Sequence, residues 1–163
     1  MDGFIPLSDL GPRICILGPS NSGKSTLAEA ISNKLSCPVT HLDQLFHFPN
    51  TLWQERPENE FLRLHNEAIQ NDRWVIDGNY NRCLKTRLGR ATGLILLDIS
   101  LPVMLKRYFY RTLLQHDRVG GVLSENQKDR ISKEMLKYLV FTTPKKREQN
   151  RKIFDKCSIP KVF

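Results

Sequence analysis

The sequence predicts an α/β domain, a parallel β-sheet covered by helices on both faces, and three observations carry that reading. Short apolar runs recur at residues 13–17, 74–76 and 94–97, with a weaker one at 39–42, and the strongest lack the polar alternation of a strand that faces water on one side. Helical patterns separate them, the alternation that builds a parallel sheet. A glycine-bearing loop joins the first run to the first helix. At 163 residues, with 40% hydrophobic and 26% charged side chains, the chain suits one domain, 1–163, with a sizeable core.

The loop organises the rest. Gly18-x-x-x-x-Gly23-Lys24-Ser25 is the Walker A pattern of a phosphate-binding loop, and it stands in the strand–loop–helix context that the pattern requires. Gly18 and Gly23 permit backbone angles that a side chain would forbid, so the chain can wrap a phosphate closely. Pro19, Ser20, Asn21 and Ser22 fill the loop, whose N–H groups point at the anion while the following helix adds its dipole. Lys24 reaches the β- and γ-phosphates, the Ser25 hydroxyl ligates Mg²⁺, and Thr26 starts the first helical turn. The bland alternative is a glycine turn that binds nothing.

Taken in order, residues 1–12 are an irregular lead-in broken by Pro6, Gly11 and Pro12. The helix after the loop places Leu27, Ile31 and Leu35 on one stripe. A second short strand ends at Asp43. Residues 44–56 show no period but are unusually aromatic, with Phe46, His47, Phe48 and Trp53. Pro57 opens a helix with Phe61, Leu62, His65, Ala68 and Ile69 inward. The third strand ends at Asp77-Gly78, polar and basic residues 79–92 follow, and the fourth strand ends at Asp98. A helix from Pro102 presents Leu101, Leu105, Tyr108, Phe109 and Leu113 to the core. Residues 116–126, with Gly120-Gly121, form a loop, and a further helix with Ile131, Met135, Leu136 and Leu139 inward is broken at Pro144. A basic helix over 145–156 precedes a fifth strand that begins at Ile159 and is cut short at Phe163.

Ligands of such sheets bind beyond the carboxyl ends of the strands, where the loop, Asp43, Asp77 and Asp98 all fall. Asp77 is the candidate Walker B carboxylate for Mg²⁺, against the reading of Asp77-Gly78 as a turn pair. Asp43 is the candidate for orienting or deprotonating an acceptor hydroxyl, against a helix cap. Asp98 precedes a helix start and reads as structural. Arg107 and Arg111 stand one turn apart on one helix face, with Arg118 in the loop beyond. Together they can close over a γ-phosphate as a lid around 112–130, guanidinium matching phosphate oxygens in a fork. Arg82 and Arg87 are candidates for the second substrate, and Phe46 to Trp53 for its pocket wall, against a flap over the sheet edge. His41 and His47 read as structural.

The net charge of +8 is uneven: residues 1–100 carry −1 and residues 101–163 carry +9. That asymmetry fits a polyanionic partner, either nucleic acid or the phosphates of a bound nucleotide. Cys15, Cys37, Cys83 and Cys157 form no CxxC pair and read as reduced thiols. No apolar run approaches a membrane span and the N-terminus lacks a signal-peptide pattern, so the expectation is a cytoplasmic protein without a membrane partner.

These segments add up to a resemblance. GPSNSGKST, HLDQLFHFPNTLWQ, RWVIDGNY and LILLDISLP are similar to the P-loop small-molecule kinases of the adenylate-kinase-like group, over residues 13–112. More narrowly, the chain resembles the bacterial proteins labelled DNA topology modulation proteins. The resemblance implies a P-loop NTPase three-layer sandwich, sheet order 2-3-1-4-5, Mg·ATP as nucleotide, a short arginine-bearing lid, and Asp77 rather than Asp98 as the Walker B residue. Adenylate kinases carry DGFPR where this chain reads Asp77-Gly78-Asn79-Tyr80-Asn81-Arg82, which argues against AMP as acceptor. The expected function is transfer of the ATP γ-phosphate to a nucleotide, nucleoside or other hydroxyl compound. The alternatives are a nucleotide-regulated DNA-binding protein and a bare ATPase.

Overall fold

In the computed structural model, which describes residues 5–114 and 131–163, the first apolar run becomes strand β1 (Arg13–Leu17). Its side chains alternate between two cores. Ile14 and Ile16 enter one, Cys15 and Leu17 the other, and all four are wholly buried. At roughly 1.5–3 kcal/mol for each fully buried large aliphatic side chain, this strand alone commits the chain to a sheet covered on both sides. On one face lies α1 (Lys24–Leu35), with Ala28 and Ile31 packed against Val75 and Ile95. On the other lie α3 (Glu58–Ala68), α4 (Asn81–Arg90) and α7 (Thr143–Lys156), which bring Phe61, Cys83, Leu84, Ile153 and Phe154 to Trp74, Ile76 and Leu94.

The remaining strands are β2 (Val39–His41), β3 (Trp74–Asp77), β4 (Gly93–Leu96) and β5 (Lys161–Val162). Every pairing is parallel, and the order is β2-β3-β1-β4-β5. This is the expected 2-3-1-4-5 sheet. It sets β1 between β3 and β4, with Ile16 opposite Asp77 on one side and Ile95 on the other. The carboxyl ends of β1, β2 and β3 therefore lie side by side. The short fifth strand pairs Lys161 and Val162 with Leu94 and Ile95.

Several local expectations change. Residues 81–90 are the helix α4, which the sequence pattern hides because its buried face is Cys83, Leu84 and Arg87, the last a charged residue. Asp43 does not end a strand but stands in the first turn of α2 (Leu42–Phe46), a helix too short to show a period. In α5 (Leu101–Leu114) the buried positions are Met104 and Tyr108, while Phe109 and Leu113 face out. Continuing the 104–108 stripe by one turn reaches Arg111, not Leu113. The helix does not break at Pro144. Instead α6 (Lys133–Lys137) runs through a π-turn (Tyr138–Thr142) into α7, whose first turn holds the proline, where a missing N–H costs least. The Gly120-Gly121 loop, Arg118 and most of the lid expected around 112–130 lie outside the described residues. No helix among the described residues is long and apolar enough to cross a membrane.

Asp98 has the structural role expected of it, though through other partners than a helix cap. It accepts from Nε of both Arg147 and Arg151, the second at 2.6 Å, and so fastens α7 beyond the end of β4. Its side chain is only 3% exposed, because the two guanidiniums cover it. Burial works against its ionisation, but the two arginines outweigh burial and hold the carboxyl below the ordinary 3.8. The sign follows. A depressed folded-state pKa adds stability above the unfolded value and loses it as pH falls through the folded one. Asp98→Asn is expected to lower unfolding free energy at pH 7 by roughly 1–2 kcal/mol, Arg151 adding least because it is half exposed. In urea titrations the gap between the two proteins closes as pH falls below about 4.

Candidate active site

The loop begins where β1 ends. Gly18 has φ 154°, and a Cβ there would stand 2.5 Å from the Leu97 carbonyl oxygen, so no side chain fits. Gly23, at φ 94°, turns the chain into α1. Between them Pro19 and Ser22 are buried and Ser20 and Asn21 partly so, while Thr26 faces outward. Lys24 Nζ donates to the Pro19 carbonyl at 2.8 Å. Burial lowers the Lys24 pKa, Asp43 and Asp77 oppose that, and Arg111 adds to it. The ammonium therefore stands within electrostatic reach of two carboxylates, one at the end of β3 and one in the first turn of α2.

Asp77 is buried at the end of β3 and is bonded through both oxygens. Oδ2 accepts from the Ser25 hydroxyl at 2.8 Å, and Oδ1 accepts from His41 Nδ1. His41 Nε2 in turn meets Glu29 Oε1 at 3.1 Å. Burial would lower the His41 pKa, but the contacts with Asp77 and Glu29 outweigh burial and raise it. A hydroxyl and a carboxylate oxygen side by side at the mouth of a phosphate-sized loop are hard donors of the kind Mg²⁺ takes. The residues present fit that ion.

After Asp77 the chain turns at Gly78, whose φ is 127° and whose Cβ would stand 2.9 Å from that of Leu42. The turn delivers Asn79 to the loop. Its side-chain amide accepts from Gly18 N–H at 3.2 Å and donates to Gly18 carbonyl at 2.9 Å, copying a strand partner. Asn150 of α7 reaches the same amide oxygen. Arg87, expected at the second substrate, is instead wholly buried and donates to the carbonyls of Gly78, at 2.8 Å, and Asn79, at 3.2 Å. It holds the turn from beneath. Tyr80, at a strained φ of 25°, donates its hydroxyl to Asp43 Oδ1 at 2.7 Å. Burial and the Asp43 charge both push the Tyr80 phenol pKa up, so it stays a donor.

Asp43 is exposed, close enough for its charge to act on Lys24, and it borders an aromatic cluster. The Phe46 ring lies 5.1 Å from Tyr80 and 5.2 Å from Phe61. Arg82 stands over Phe46 at 5.8 Å and pairs with Glu58 at 3.1 Å. Trp53 sits on a hairpin closed by Phe48 N–H to Gln54 carbonyl and Arg56 N–H to Phe46 carbonyl. Its ring meets His47 at 5.3 Å, and it is 39% exposed with φ 60°. On the opposite side of the loop, Arg107 donates to the Ser22 carbonyl at 2.7 Å. The structure thus gathers Lys24, Ser25, Asp77, Asp43, Arg107 and Arg111 in one place, joins Phe46 and Arg82 to it through Tyr80, and reaches Trp53 only through His47. Arg118 lies outside the described residues. Glu29, Asn79 and Tyr80 were given no role by the sequence reading. The spacing of Ser25 and Glu29, one helical turn apart, is the signal that could have found Glu29.

Arg87→Met keeps the buried stem and removes the donors to two buried carbonyls. Stability should fall by roughly 1–3 kcal/mol in urea denaturation, with helix content unchanged. A loss under about 0.5 kcal/mol would mean that those carbonyls find other partners.

No protein-family model matches the chain, and no curated protein matches it in sequence. Solved structures do match. A gluconokinase from Sinorhizobium meliloti 1021 aligns with a TM-score of 0.54 at 16% identity, covering 94% of this chain and 82% of that one. A shikimate kinase from Aquifex aeolicus vf5 aligns at 0.52 and 20% identity over 92% and 84% of the two chains. A second shikimate kinase, from Bacteroides thetaiotaomicron, aligns at 0.53 and 20% over 85% and 80%. At such identities the likeness is one of fold: the all-parallel sheet of order 2-3-1-4-5, with helices on both sides, is that of the P-loop kinases.

Proposed function

We propose that this chain is a kinase that transfers the γ-phosphate of Mg·ATP to a small-molecule acceptor bearing a hydroxyl or phosphate. The observation that carries the reading is the 2.8 Å hydrogen bond from Ser25, the residue after the loop's Lys24, to Asp77, with Asp43 near enough for its charge to act on Lys24 as well. A lysine on a phosphate-binding loop, flanked by one carboxylate bonded to the loop serine and another facing out, divides the site into a phosphate half and an acceptor half. The aligned gluconokinase and shikimate kinases, which share this fold, support the kinase reading at that coarse level.

The roles follow from the contacts. Loop N–H groups that follow Pro19, up to Thr26, with Lys24, bind the phosphates, while the Gly18 N–H stays with Asn79. Ser25 and Asp77 would hold Mg²⁺, which supplies charge neutralisation between the phosphates. Asp43 has Oδ1 held by the Tyr80 hydroxyl, which leaves Oδ2 to orient the acceptor hydroxyl and take its proton. Arg107 and Arg111, with Arg118 beyond them, neutralise the charge on the transferred group. Phe46, Trp53 and Arg82 form the acceptor wall.

A second reading, a nucleotide-regulated DNA-binding protein of the DNA topology modulation type, draws on the exposed Lys133, Lys137, Lys145, Lys146 and Lys156. Against it, Arg147 and Arg151, the two residues of α7 best suited to phosphate, are drawn inward by Asp98.

A panel of nucleotides, nucleosides and sugars with Mg·ATP is expected to reveal an acceptor. Lys24→Ala should abolish transfer. Asp43→Asn should reduce turnover on the order of 10²–10⁴-fold, with a far smaller change in nucleotide affinity, the part that passes through Lys24. Unchanged turnover in Asp43→Asn removes that residue from the mechanism, and phosphate release indifferent to every acceptor favours a bare ATPase. DNA binding that is strong at low salt and falls steeply as salt rises favours the second reading.

A further inference from the structure

Four side chains close a ring beneath the loop. Ser25 and Glu29 are one helical turn apart on α1 and so project from one face. His41 and Asp77 are register partners on β2 and β3 and so project from one side of the sheet. Ser25 donates to Asp77 Oδ2, His41 Nδ1 bonds Asp77 Oδ1, and His41 Nε2 stands 3.1 Å from Glu29 Oε1. The His41 and Asp77 side chains are each only 6% exposed, and Glu29, at 39%, is where the ring meets water.

We propose that His41, oriented by Glu29, is a positioning residue that aims the Asp77 carboxylate at the Mg²⁺ site; the proposal rests on the kinase reading above. The torsion that turns a carboxylate about its last bond is broad and weakly restrained. A buried Asp77 held only by Ser25 could therefore rotate its free oxygen away from the loop. His41 removes that freedom by fixing Oδ1, so that the Ser25 side of the group faces the phosphates. Glu29 does the same for His41. With a carboxylate on each ring nitrogen, the imidazole can neither flip nor tilt without losing a bond. The arrangement is a carboxylate–histidine–carboxylate chain behind a metal ligand, and outer partners of this kind shape metal affinity through the ligand they hold. None of these contacts touches nucleotide or acceptor, so the effect reaches the reaction only through Asp77.

The test is nucleotide affinity rather than turnover. A fluorescent ADP analogue is titrated into the full chain, once with Mg²⁺ and once with EDTA, and the ratio of the two affinities gives the gain due to the ion. Wild type should show a clear gain. His41→Leu should lose about tenfold or more of it, with affinity in EDTA changed by less than about twofold. His41→Asn, whose side-chain amide nitrogen stands near the place of Nδ1, should restore most of the gain. His41→Gln, whose amide nitrogen stands near the place of Nε2 instead, should not. Thermal melts of all four proteins accompany the titrations. A gain in His41→Leu equal to that of wild type overturns the proposal, as does equal rescue by Asn and Gln. Parallel losses with and without Mg²⁺ that follow the melting temperature also overturn it, since a purely structural histidine would behave so. Absence of nucleotide binding by wild type in both arms overturns the kinase reading, and this proposal with it.

Discussion

The hydrogen bond from Ser25 to Asp77 joins the first turn of α1 to the end of β3, and the geometry of the loop depends on it. It forms because β3 lies directly beside β1, which brings together residues 52 positions apart. Wholly buried side chains of β1 and β3, entering both cores, hold the strands in that register. The loop itself has little freedom left. Gly18 has no room for a Cβ against Leu97, and Asn79 grips its N–H and carbonyl together. Packing thus fixes the strands, the strands fix Asp77 and Asn79, and these fix the loop. The loop is preorganised by its neighbours as well as by its own glycine, which is what the phosphate site proposed for it requires.

The same logic explains Arg87. A buried cation without a facing carboxylate is costly unless its donors are used. Here one guanidinium nitrogen serves both carbonyls of the turn that delivers Asn79, and a second donates to the Cys83 sulfur. The sequence could not say so. In composition Arg87 is another charge in a basic stretch, and only the burial of Cys83 and Leu84 beside it shows that the stretch is a helix lying on the sheet.

The loop, the strands and the acid at the end of β3 were legible because each depends on local pattern, glycines at fixed offsets and apolar runs; the strand order came from the resemblance alone, and Asp43 stands in a short helix rather than at a strand end. His41 was read as structural because one histidine beside an apolar run carries no sign of its partners. Its meaning comes from a cross-strand register and a helical turn acting together, and neither is visible along the chain. The stripe of α5 was misplaced for a similar reason. Leu113 is apolar and Arg111 is not, yet the helix turns Arg111 toward Lys24 because Met104 and Tyr108 set its rotation. The excess of positive charge in the second half was visible, but not that Asp98 draws part of it inward.

The cations of the site already have oxygen partners. Lys24 donates to the Pro19 carbonyl and Arg107 to the Ser22 carbonyl. Both acceptors are neutral, and a phosphate oxygen forms charge-assisted bonds roughly twice as strong. A polyphosphate entering the loop therefore exchanges bonds rather than adding them, and its affinity is the difference. The environment of Lys24 enlarges that difference. Burial penalises its bare charge, and the same low polarity strengthens its attraction to an anion. Asp43 and Asp77 oppose that penalty in part. One of those carboxylates is tied to Ser25 and the other reaches toward Tyr80, so the charge of Lys24 links the two halves of the site. Removing either carboxylate would alter the phosphate-binding lysine as well as its own half, and the two halves are for that reason electrostatically one.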